Sequence, residues 1–539
     1  MVIRELVVTL VTLCFLVILP AHQASAYRIL GINTSPSRSN VIVQDALMKE
    51  LARRSHHVTM VSPYKEPEQV PNYRKITIPF DPWVLGKVAA HKALVMLQLT
   101  NPPVYIDFTK TIFKNANSGW AMIQLLPKLL QQNTVPIYKT LRSQEVQSII
   151  EEPEGYDLLI TGIMNDAVFG ISHILKCPVI IVCSNAPMVV VNSMVGNPTP
   201  ISTIPNIMLG LTNPMSFGQR VVNFSGFFLE EAFNIMWKYY QRKAYEELFP
   251  PDQFPAYDEL RSNVSLVFVN HHFTKGSPRP YVPTMVEVGG LQIKDKPSPL
   301  PGDIRQWIDG AEEGVILFSL GTNLLSSSIP PEFVSAILET FRNIKQRVIW
   351  KWDTQDMPNK PANVMLVDWL PQDDILAHPN VRLFIMHGGL GGIAEALFHG
   401  VPIVGIPMFG DQPVNLAQVE KEGWAYVLQY TELTVETFSK AINEVLHDPR
   451  YRENVKRLSQ LFRDRPQSAM DTAIYWTEYV IRHKGARHLR YPGADMNFIQ
   501  RHSLDVLGFI AIMTIVIFKA ISLSCRWCCR RSVAKLKKQ

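Results

Sequence analysis

The chain has 539 residues, of which 47% are hydrophobic and 19% are charged, and its formal net charge is +6. A chain of this length is too long to fold around a single hydrophobic core, so two globular domains are expected. The charge is small for the length and no long basic run interrupts the body of the chain, which argues against nucleic-acid binding. Cys177 and Cys183 are the cysteines that lie away from the two ends, so the chain is not a disulfide scaffold.

The N-terminal segment has the three parts of a secretory signal peptide. Arg4 gives it a positive start, residues 6–19 form an apolar run, and residues 24–26 are a small-residue cleavage site. We predict a signal peptide over residues 1–26, and the alternative is an uncleaved anchor helix.

The first half of the body alternates strand and helix patterns. A helical pattern between two short apolar strands predicts a parallel sheet. Residues 83–99 are a strongly apolar helix candidate, which either belongs to a core, lines an acceptor pocket or touches a membrane. The other predicted elements of this half are strands at 27–32, 57–62, 157–161 and 179–182 and a helix at 41–54.

The second half continues the alternation more regularly, and a Pro- and Gly-rich zone at 275–302 separates it from the first. We therefore predict an N-terminal domain over 27–285 and a C-terminal domain over 286–500. A doubly wound sheet binds its ligand at the carboxyl ends of its strands. The predicted elements are strands at 315–320, 347–352, 364–367, 381–386 and 402–406 and helices at 331–345, 392–399, 415–422 and 435–447.

The C-terminal end carries a second apolar run, at 504–525, whose length matches the roughly twenty residues that span a bilayer. We predict a transmembrane helix over 503–525 and, from the positive-inside rule, a cytosolic basic tail over 526–539. Lys535 and Lys537 resemble a dilysine retrieval signal. Together these features predict a single-pass type I protein of the endoplasmic reticulum membrane with a lumenal body.

Three N-glycosylation sequons begin at Asn223, Asn263 and Asn33. A lumenal body would permit glycosylation at these positions. Asn33 directly follows the first predicted strand, where access for the modifying enzyme is restricted.

The most informative segment of the sequence runs from Trp369 to Gln412. A buried strand ends there in His387-Gly388-Gly389 and leads into a helix. Glycines let the backbone approach a ligand, and the free N–H groups of a helix start favour a pyrophosphate. His387 can donate a hydrogen bond to a phosphate oxygen.

Other side chains of this segment suit the remaining parts of a sugar nucleotide. Trp369 offers a flat face to a base, and Glu395, one turn into the helix, can accept from ribose hydroxyls. Asp411 and Gln412 supply paired polar groups for sugar hydroxyls. Each feature alone also has an ordinary structural reading, since glycine-rich turns, core histidines and core tryptophans are common.

In this order and spacing the segment resembles the signature of the UDP-glycosyltransferase family, glycosyltransferase family 1, and the resemblance covers nearly the whole chain. It implies an α/β GT-B fold, in which two doubly wound Rossmann-like domains face a cleft, followed by a C-terminal transmembrane helix. The N-terminal domain would bind the acceptor and the C-terminal domain the UDP-sugar, and the helices after Tyr451, up to about His483, would cross back onto the N-terminal lobe. It also implies that a UDP-sugar is a co-substrate and that no cofactor or metal is needed.

The resemblance assigns roles to individual positions. Gly391 stands where vertebrate glucuronosyltransferase members carry Asn, which favours UDP-glucose as the donor. Trp369 would stack on uracil and Gln372 would bind the uridine. The diphosphate would be bound by His387 and by the turn that contains Ser319, Gly321 and Thr322. Glu395 would bind the ribose, and Asp411 and Gln412 would bind the sugar.

The catalytic positions depart from the family pattern. Members use a His at the start of the first helix as general base, oriented by an Asp of the N-terminal lobe, and these positions fall on Asn40 and Gly162. Neither residue can accept a proton at neutral pH. Asp166 is the nearest carboxylate, and it is either a substitute base or a structural helix cap.

Two functions follow from this reading. The first is inverting transfer of a hexose, glucose, from a UDP-sugar to a small lipophilic acceptor. Either the acceptor is acidic enough to need no base, or Asp166 or a group of the acceptor itself serves as the base. The second is a catalytically silent UDP-sugar-binding or regulatory relative. The expected partners are the UDP-sugar, the acceptor and the membrane, and assembly into homo- or hetero-oligomers stays open.

Overall fold

A computed structural model describes residues 26–65, 68–80, 127, 130–322, 324, 329–354 and 357–536. Nearly all of the predicted signal peptide, the apolar stretch 83–99 and the last three residues of the basic tail lie outside these ranges. The described residues form two parallel β-sheets, of seven and six strands, with helices on their faces.

The first sheet has the strand order β3-β2-β1-β4-β5-β6-β7, and every neighbouring pair is parallel. Its central strands are continuous apolar runs because both faces are covered by helices. The strands are β1 Arg28–Ile32, β2 His57–Ser62, β3 Tyr73–Thr77, β4 Leu158–Gly162, β5 Val179–Cys183, β6 Leu266–Val269 and β7 Met285–Glu287.

Helices surround this first sheet, and the longest of them starts with a capping box. Ser216 accepts from the backbone of Gln219, whose side chain in turn accepts from the backbone N–H of Ser216. The helices are α1 Arg38–Arg53, α2 Val135–Leu141, α3 Gln144–Ile150, α4 Phe169–Leu175, α5 Val189–Val195, α6 Phe217–Leu248 and α7 Tyr257–Ser262.

The second sheet has the order β10-β9-β8-β11-β12-β13, again entirely parallel. Chain order therefore proceeds outward in both directions from the β8/β11 pair, and the crevice at such a reversal is where doubly wound sheets bind ligands. The strands are β8 Val315–Ser319, β9 Arg347–Lys351, β10 Val364–Val367, β11 Val381–Met386, β12 Ile403–Gly405 and β13 Ala425–Val427.

The helices that follow complete the second lobe and return to the first. They are α8 Gly302–Asp309, α9 Pro331–Arg342, α10 Gln372–Leu376, α11 Leu390–His399, α12 Gln412–Lys421, α13 Val435–His447, α14 Pro449–Arg463, α15 Ala469–Arg482, α16 Phe498–Arg501 and α17 Leu504–Leu536.

One predicted domain limit needs correction. The division at 285/286 cuts β7, which is hydrogen-bonded into the first sheet, so the first lobe extends past Glu287. Helix α14 packs on α11 of the second lobe, and its Phe462 also lies against His272 of the first lobe, with ring centroids 4.6 Å apart. Helix α15 packs on α1, where Arg54 binds Asp471 and His56 lies 3.3 Å from Glu478.

Helix α17 contains the predicted transmembrane run. Its segment Leu504–Arg530 is long and apolar enough to cross a bilayer, and none of it is buried against the rest of the protein. This finding is compatible with a single-pass membrane protein.

Two of the three sequons are inaccessible in the folded chain. Asn33 is fully buried and its amide donates to Gln44, while Asn223 is fully buried and bonds the backbone of Ile201, Ile204 and Asn206. The prediction of glycosylation at these two positions is therefore wrong, because a glycan requires a solvent-exposed amide. Asn263 is exposed, so glycosylation there stays a prediction.

Candidate functional site

The candidate site lies where β8 and β11 end and where α11 and α12 begin. His387 follows the last residue of β11, and Gly389 occupies the position before the first residue of α11. Ser319 is the last residue of β8, directly beside β11, and its hydroxyl accepts from the backbone N–H of Gly321 at 3.3 Å. The sheet thus brings together two turns that are almost 70 residues apart, since adjacent parallel strands end at one edge.

Glycines enclose the imidazole of His387 on two sides. A β-carbon at Gly321, where φ is +87°, would lie 2.6 Å from Cε1 of the ring, and one at Gly389 would lie 2.7 Å from Nε2. Gly388, with a φ of +92°, lets the chain turn against Leu416. Close packing around the ring therefore requires glycine at positions 321 and 389, and the positive φ values favour glycine at positions 321 and 388.

Two buried polar atoms in these turns lack a protein partner among the described residues. They are Nδ1 of His387 and the hydroxyl of Thr322. Burial lowers the pKa of His387 to about 4, so the ring is neutral at pH 7 and can donate through only one nitrogen. Unpaired buried polar groups are costly, which favours a ligand that supplies hydrogen-bonding oxygens here.

Glu395 lies in α11 and receives two amide donors. Nε2 of Gln372 lies 2.5 Å from one carboxylate oxygen, and Nε2 of Gln292 lies 3.2 Å from the other and also bonds the carbonyl of Gly391. Burial raises the pKa of Glu395 to about 7. A carboxylate held in this way can accept further hydrogen bonds from hydroxyl groups.

Trp369 is 41% exposed at the edge of the cleft, and the guanidinium of Arg38 lies 3.4 Å from the centre of its ring. Arg38 is the first residue of α1 in the other lobe, so this cation–π contact connects the two lobes. The exposed indole was predicted from sequence, whereas the arginine against it was not.

Asp411 and Gln412 stand at the start of α12. The carboxylate of Asp411 accepts from Asn415, and the side-chain oxygen of Gln412 accepts from the backbone N–H groups of Met408 and Phe409. Gln412 therefore orders its own loop, and its amide nitrogen is the part that is left for a ligand. Burial raises the pKa of Asp411.

A cavity lies between the lobes beside Asp411. The second lobe contributes Leu390 and Ile393 to its wall, and the first lobe contributes Lys275, whose ammonium is buried and donates to the carbonyl of Leu390 at 3.2 Å. Burial lowers the pKa of Lys275 to about 8, and Asp411 opposes this shift. The cavity wall is otherwise mainly apolar, with Met188, Pro205, Ile207, Leu211 and Val414.

The residues at the two catalytic positions, Asn40 and Gly162, are surrounded by side chains of the first lobe. The side-chain oxygen of Asn40 accepts from the hydroxyl of Ser184 at 2.5 Å. At Gly162 a β-carbon would lie 2.7 Å from the amide nitrogen of Asn33 and 3.4 Å from that of Asn165. Two amides therefore occupy the space that a carboxylate side chain at position 162 would need.

Asp166 fits neither role predicted for it. It is 1% exposed, accepts from the hydroxyl of Tyr257 at 2.8 Å and pairs with Nε of Arg261 at 3.1 Å. The N-cap position of its short 3-10 turn belongs to Asn165, and no side chain caps that turn. Asp166 thus holds α7 to the first lobe through a buried ion pair, and the prediction of a substitute base or cap is wrong.

Two solved glycosyltransferases share this architecture. The calicheamicin glycosyltransferase CalG4 matches with a TM-score of 0.52 at 17% identity, over 85% of this chain and 99% of that one. A UDP-glucosyltransferase from Polygonum tinctorium matches with the same TM-score at 13% identity, over the same shares. The fold is therefore the GT-B fold of glycosyltransferases, with two Rossmann-like lobes on either side of a cleft.

Sequence similarity defines the family more narrowly. The model of the UDP-glucoronosyl and UDP-glucosyl transferase family matches residues 37–539. The chain is 33% identical to UDP-glycosyltransferase UGT5 of Dactylopius coccus over 94% of both chains. It is 35% identical to UDP-glucosyltransferase 2 of the same insect, over 88% of both chains. It is also 30% identical to UDP-glucuronosyltransferase 2A2 of Mus musculus, over 86% of this chain and 87% of that one.

The chain belongs to the UDP-glycosyltransferase family, and it is a transferase that moves a sugar from a UDP-sugar.

Sequence reasoning missed several residues that complete the site. Gln292, Lys275 and His271 lie in or just before the Pro- and Gly-rich zone at 275–302. The signal that could have found them is β6, a fully buried strand whose carboxyl end is followed at once by Asn270 and His271. Its apolar run was not assigned as a strand, so the polar residues after it were not placed at the cleft.

Proposed function

We propose that this protein transfers glucose from UDP-glucose to a small lipophilic acceptor with inversion at the anomeric carbon. His387 and Thr322 bind the diphosphate and Glu395 binds the ribose. Trp369 stacks on the uracil, and Asp411 contacts the sugar. These roles extend the family's sugar transfer to a particular donor, acceptor class and set of residues.

The observation that carries the proposal is a pair of buried polar atoms at the strand ends that have no hydrogen-bond partner among the described residues. Nδ1 of His387 and the Thr322 hydroxyl lie in two adjacent turns that contain Gly321, Gly388 and Gly389. The backbone can approach a ligand closely there, and the start of α11 adds its free N–H groups. A diphosphate satisfies these donors, and no metal is required for that contact.

The cavity between the lobes supports a lipophilic acceptor. Its first-lobe wall presents the apolar side chains of Met188, Ile207 and Leu211, and Asp411 borders it from the donor side. An apolar molecule of moderate size loses water-exposed surface on entering such a space. The helix α17, which is long and apolar enough to cross a bilayer, supports the same acceptor class, because lipophilic compounds concentrate in a bilayer.

Glucose as the donor sugar is supported by Gly391. The residue has no side chain to contact a sugar carboxylate, and the nearest group to its hypothetical β-carbon is the Gln292 amide at 3.4 Å. The similarity to an insect UDP-glucosyltransferase agrees with this choice.

We also propose that the body lies in the lumen of the endoplasmic reticulum, with the basic residues 526–539 in the cytosol. The basic residues after the apolar run support this orientation by the positive-inside rule. Exposure of the Asn263 sequon is consistent with a lumenal body.

The silent-relative function has a specific observation in its favour. Asn40 and Gly162 replace the usual acid–base pair, and their surroundings are occupied by Ser184, Asn33 and Asn165. This chain would then bind UDP-sugar without turnover.

The deciding experiment measures UDP release by the membrane-bound protein with UDP-glucose and a panel of phenols and alcohols. We expect acceptor-dependent release that is lost in His387→Ala, because the diphosphate contact is removed. His378→Ala is the matched control, since His378 pairs with Asp309 away from the cleft. Donor binding without release would establish the silent relative, and equal activity of wild type and His387→Ala would contradict the donor-site assignment.

A further inference from the structure

A second histidine–carboxylate pair borders the cleft of this protein. Nδ1 of His271 lies 2.7 Å from a carboxylate oxygen of Glu287, and the His271 side chain is 5% exposed. The two residues meet because Val269, the last residue of β6, pairs with Glu287, the last residue of β7. Neighbouring parallel strands thus bring both groups to the edge of the sheet that faces the other lobe.

The orientation of the ring is set by this pair. Since Glu287 accepts from Nδ1–H, the remaining nitrogen, Nε2, carries the lone pair that can accept a proton. No described residue bonds Nε2. A β-carbon at Gly276, which also borders the cavity, would lie 3.6 Å from Nε2, so the absence of a side chain there leaves this nitrogen uncovered.

Hydrogen bonds through Ser184 connect the position where the family's histidine is missing to the residue before His271. The hydroxyl of Ser184 donates to Asn40, and the carbonyl of Ser184 accepts from Asn270, the residue before His271. His271 borders the same cavity as Asp411, which is expected to contact the sugar. The ring therefore lies on the acceptor side of the cleft and faces the donor-binding lobe.

The other titratable groups of the cavity wall do not suit the role. Lys275 has a pKa of about 8 and donates to the carbonyl of Leu390, so it is mostly protonated at pH 7. Asp411 accepts from Asn415 and belongs to the donor side. His271 is neutral at pH 7, because burial lowers its pKa, with Arg279 and Lys275 acting in the same direction and Glu287 opposing them.

We propose that His271, oriented by Glu287, is the general base of this transferase in place of the family's His/Asp pair. This assignment rests on the proposed function. Nε2 of His271 takes the proton of the acceptor hydroxyl as the acceptor oxygen bonds to the anomeric carbon. The bond from that carbon to the diphosphate oxygen breaks, and its electron pair leaves with UDP.

The test compares two acceptors in His271→Gln. One is a primary alkyl alcohol, which must lose its proton during transfer, and the other is para-nitrophenol, which is acidic enough to be partly ionised near neutral pH. We expect kcat/KM for the alcohol to fall by about 100-fold or more and that for para-nitrophenol by less than about 10-fold, because a general base contributes about 10²–10⁴-fold. The ratio of the two values does not depend on how much of the variant is folded.

His272→Gln is the matched control. His272 is the next residue, is similarly buried and bonds Thr274, but it does not border the cavity. The ratio of kcat/KM for the alcohol to that for para-nitrophenol should therefore stay at the wild-type value. Equal losses for both acceptors in His271→Gln, or no loss, would overturn the assignment.

Glu287→Gln tests the positioning residue in a chain that keeps His271. Loss of the anion removes an interaction that raises the pKa of His271. The acid limb of the pH profile of kcat/KM for the alcohol should therefore move to lower pH, together with a selective loss of alcohol transfer. An unmoved acid limb would contradict the pairing.

The two proposals fail in different ways. Donor binding without turnover in the wild type would overturn the proposed function and this assignment with it. Turnover that needs His387 but is indifferent to His271 would overturn this assignment alone.

Discussion

At the scale of single residues, burial sets the protonation states of the donor site. His387 and Glu395 are both removed from water, and burial favours the neutral form of each. The pKa of the imidazole falls to about 4 and that of the carboxyl rises to about 7. The histidine is therefore a neutral donor at every physiological pH, whereas the carboxyl titrates within the physiological range.

The titration of Glu395 should make donor binding depend on pH. Ribose hydroxyls donate to the carboxylate form, so the affinity for UDP-glucose should fall as pH falls through about 7, by up to about 10-fold between pH 7.5 and 6. Calorimetric or fluorescence titrations would measure the dissociation constants. Glu395→Gln should bind weakly at all pH values, and an equal pH slope in that variant would show that another group is responsible.

Asp166 should matter for stability and not for proton transfer. Asp166→Asn leaves the buried guanidinium of Arg261 without its counterion, and breaking a buried pair costs about 3–5 kcal/mol of unfolding free energy. Urea unfolding of the chain would measure the loss.

Asp258→Asn serves as the control for Asp166→Asn, because the Arg242–Asp258 pair is exposed and such pairs contribute about 0–1 kcal/mol. A large drop in kcat for Asp166→Asn at unchanged stability would instead support a direct chemical role.

At the scale of elements, the strand-to-helix turns are the functional units. The turn after β8 and the turn after β11 contact each other through Gly321 and His387. Both were predicted from sequence, since a buried strand followed by glycines and a helical pattern is a strong local signal. The family resemblance implied that both turns bind the diphosphate, whereas the direct contact of Gly321 with His387 depends on which strands are neighbours in the sheet.

Gly321→Ala should disable the site through that contact. The new β-carbon would lie 2.6 Å from Cε1 of His387 and would stand on a residue with a φ of +87°, so the ring must move. We expect donor affinity to fall by more than 10-fold, on the order of 1.4 kcal/mol or more, as measured by UDP-glucose titration.

Gly155→Ala isolates the backbone strain. Gly155 has a φ of +59° in a turn of the first lobe, and nothing lies within 4 Å of its hypothetical β-carbon. This variant should lose a little stability and keep its donor affinity. Similar donor affinities in Gly321→Ala and Gly155→Ala would mean that the contact between position 321 and His387 does not affect donor binding.

At the scale of the whole molecule, two lobes share one cleft and are joined by contacts between residues that are distant in the chain. Arg38 lies over Trp369, Gln292 bonds Glu395, and α15 from the far end of the chain packs on α1. Helix α17 is different, because its segment Leu504–Arg530 has no part buried against the lobes. The lobes therefore do not depend on it for their packing.

A chain that ends after Arg501 should be released from the membrane and keep its fold. We expect it to remain in solution without detergent and to bind UDP-glucose with the affinity of the full chain. Sedimentation after membrane separation and a donor titration would check both expectations. Membrane association that persists in the shortened chain would point to a second membrane-binding surface.

The sequence by itself determined the family, the α/β alternation, the apolar C-terminal helix and the residues of the donor signature. These features are local: a buried strand, a glycine-rich turn and a helix are encoded within a few residues of one another. The tertiary structure decided the rest. It buried Asn33 and Asn223, used Asp166 in an ion pair with Arg261, and placed His271 and Glu287 side by side. Such outcomes follow from strand order and lobe packing, which join residues that are distant in the chain, so the local pattern does not specify which side chains meet.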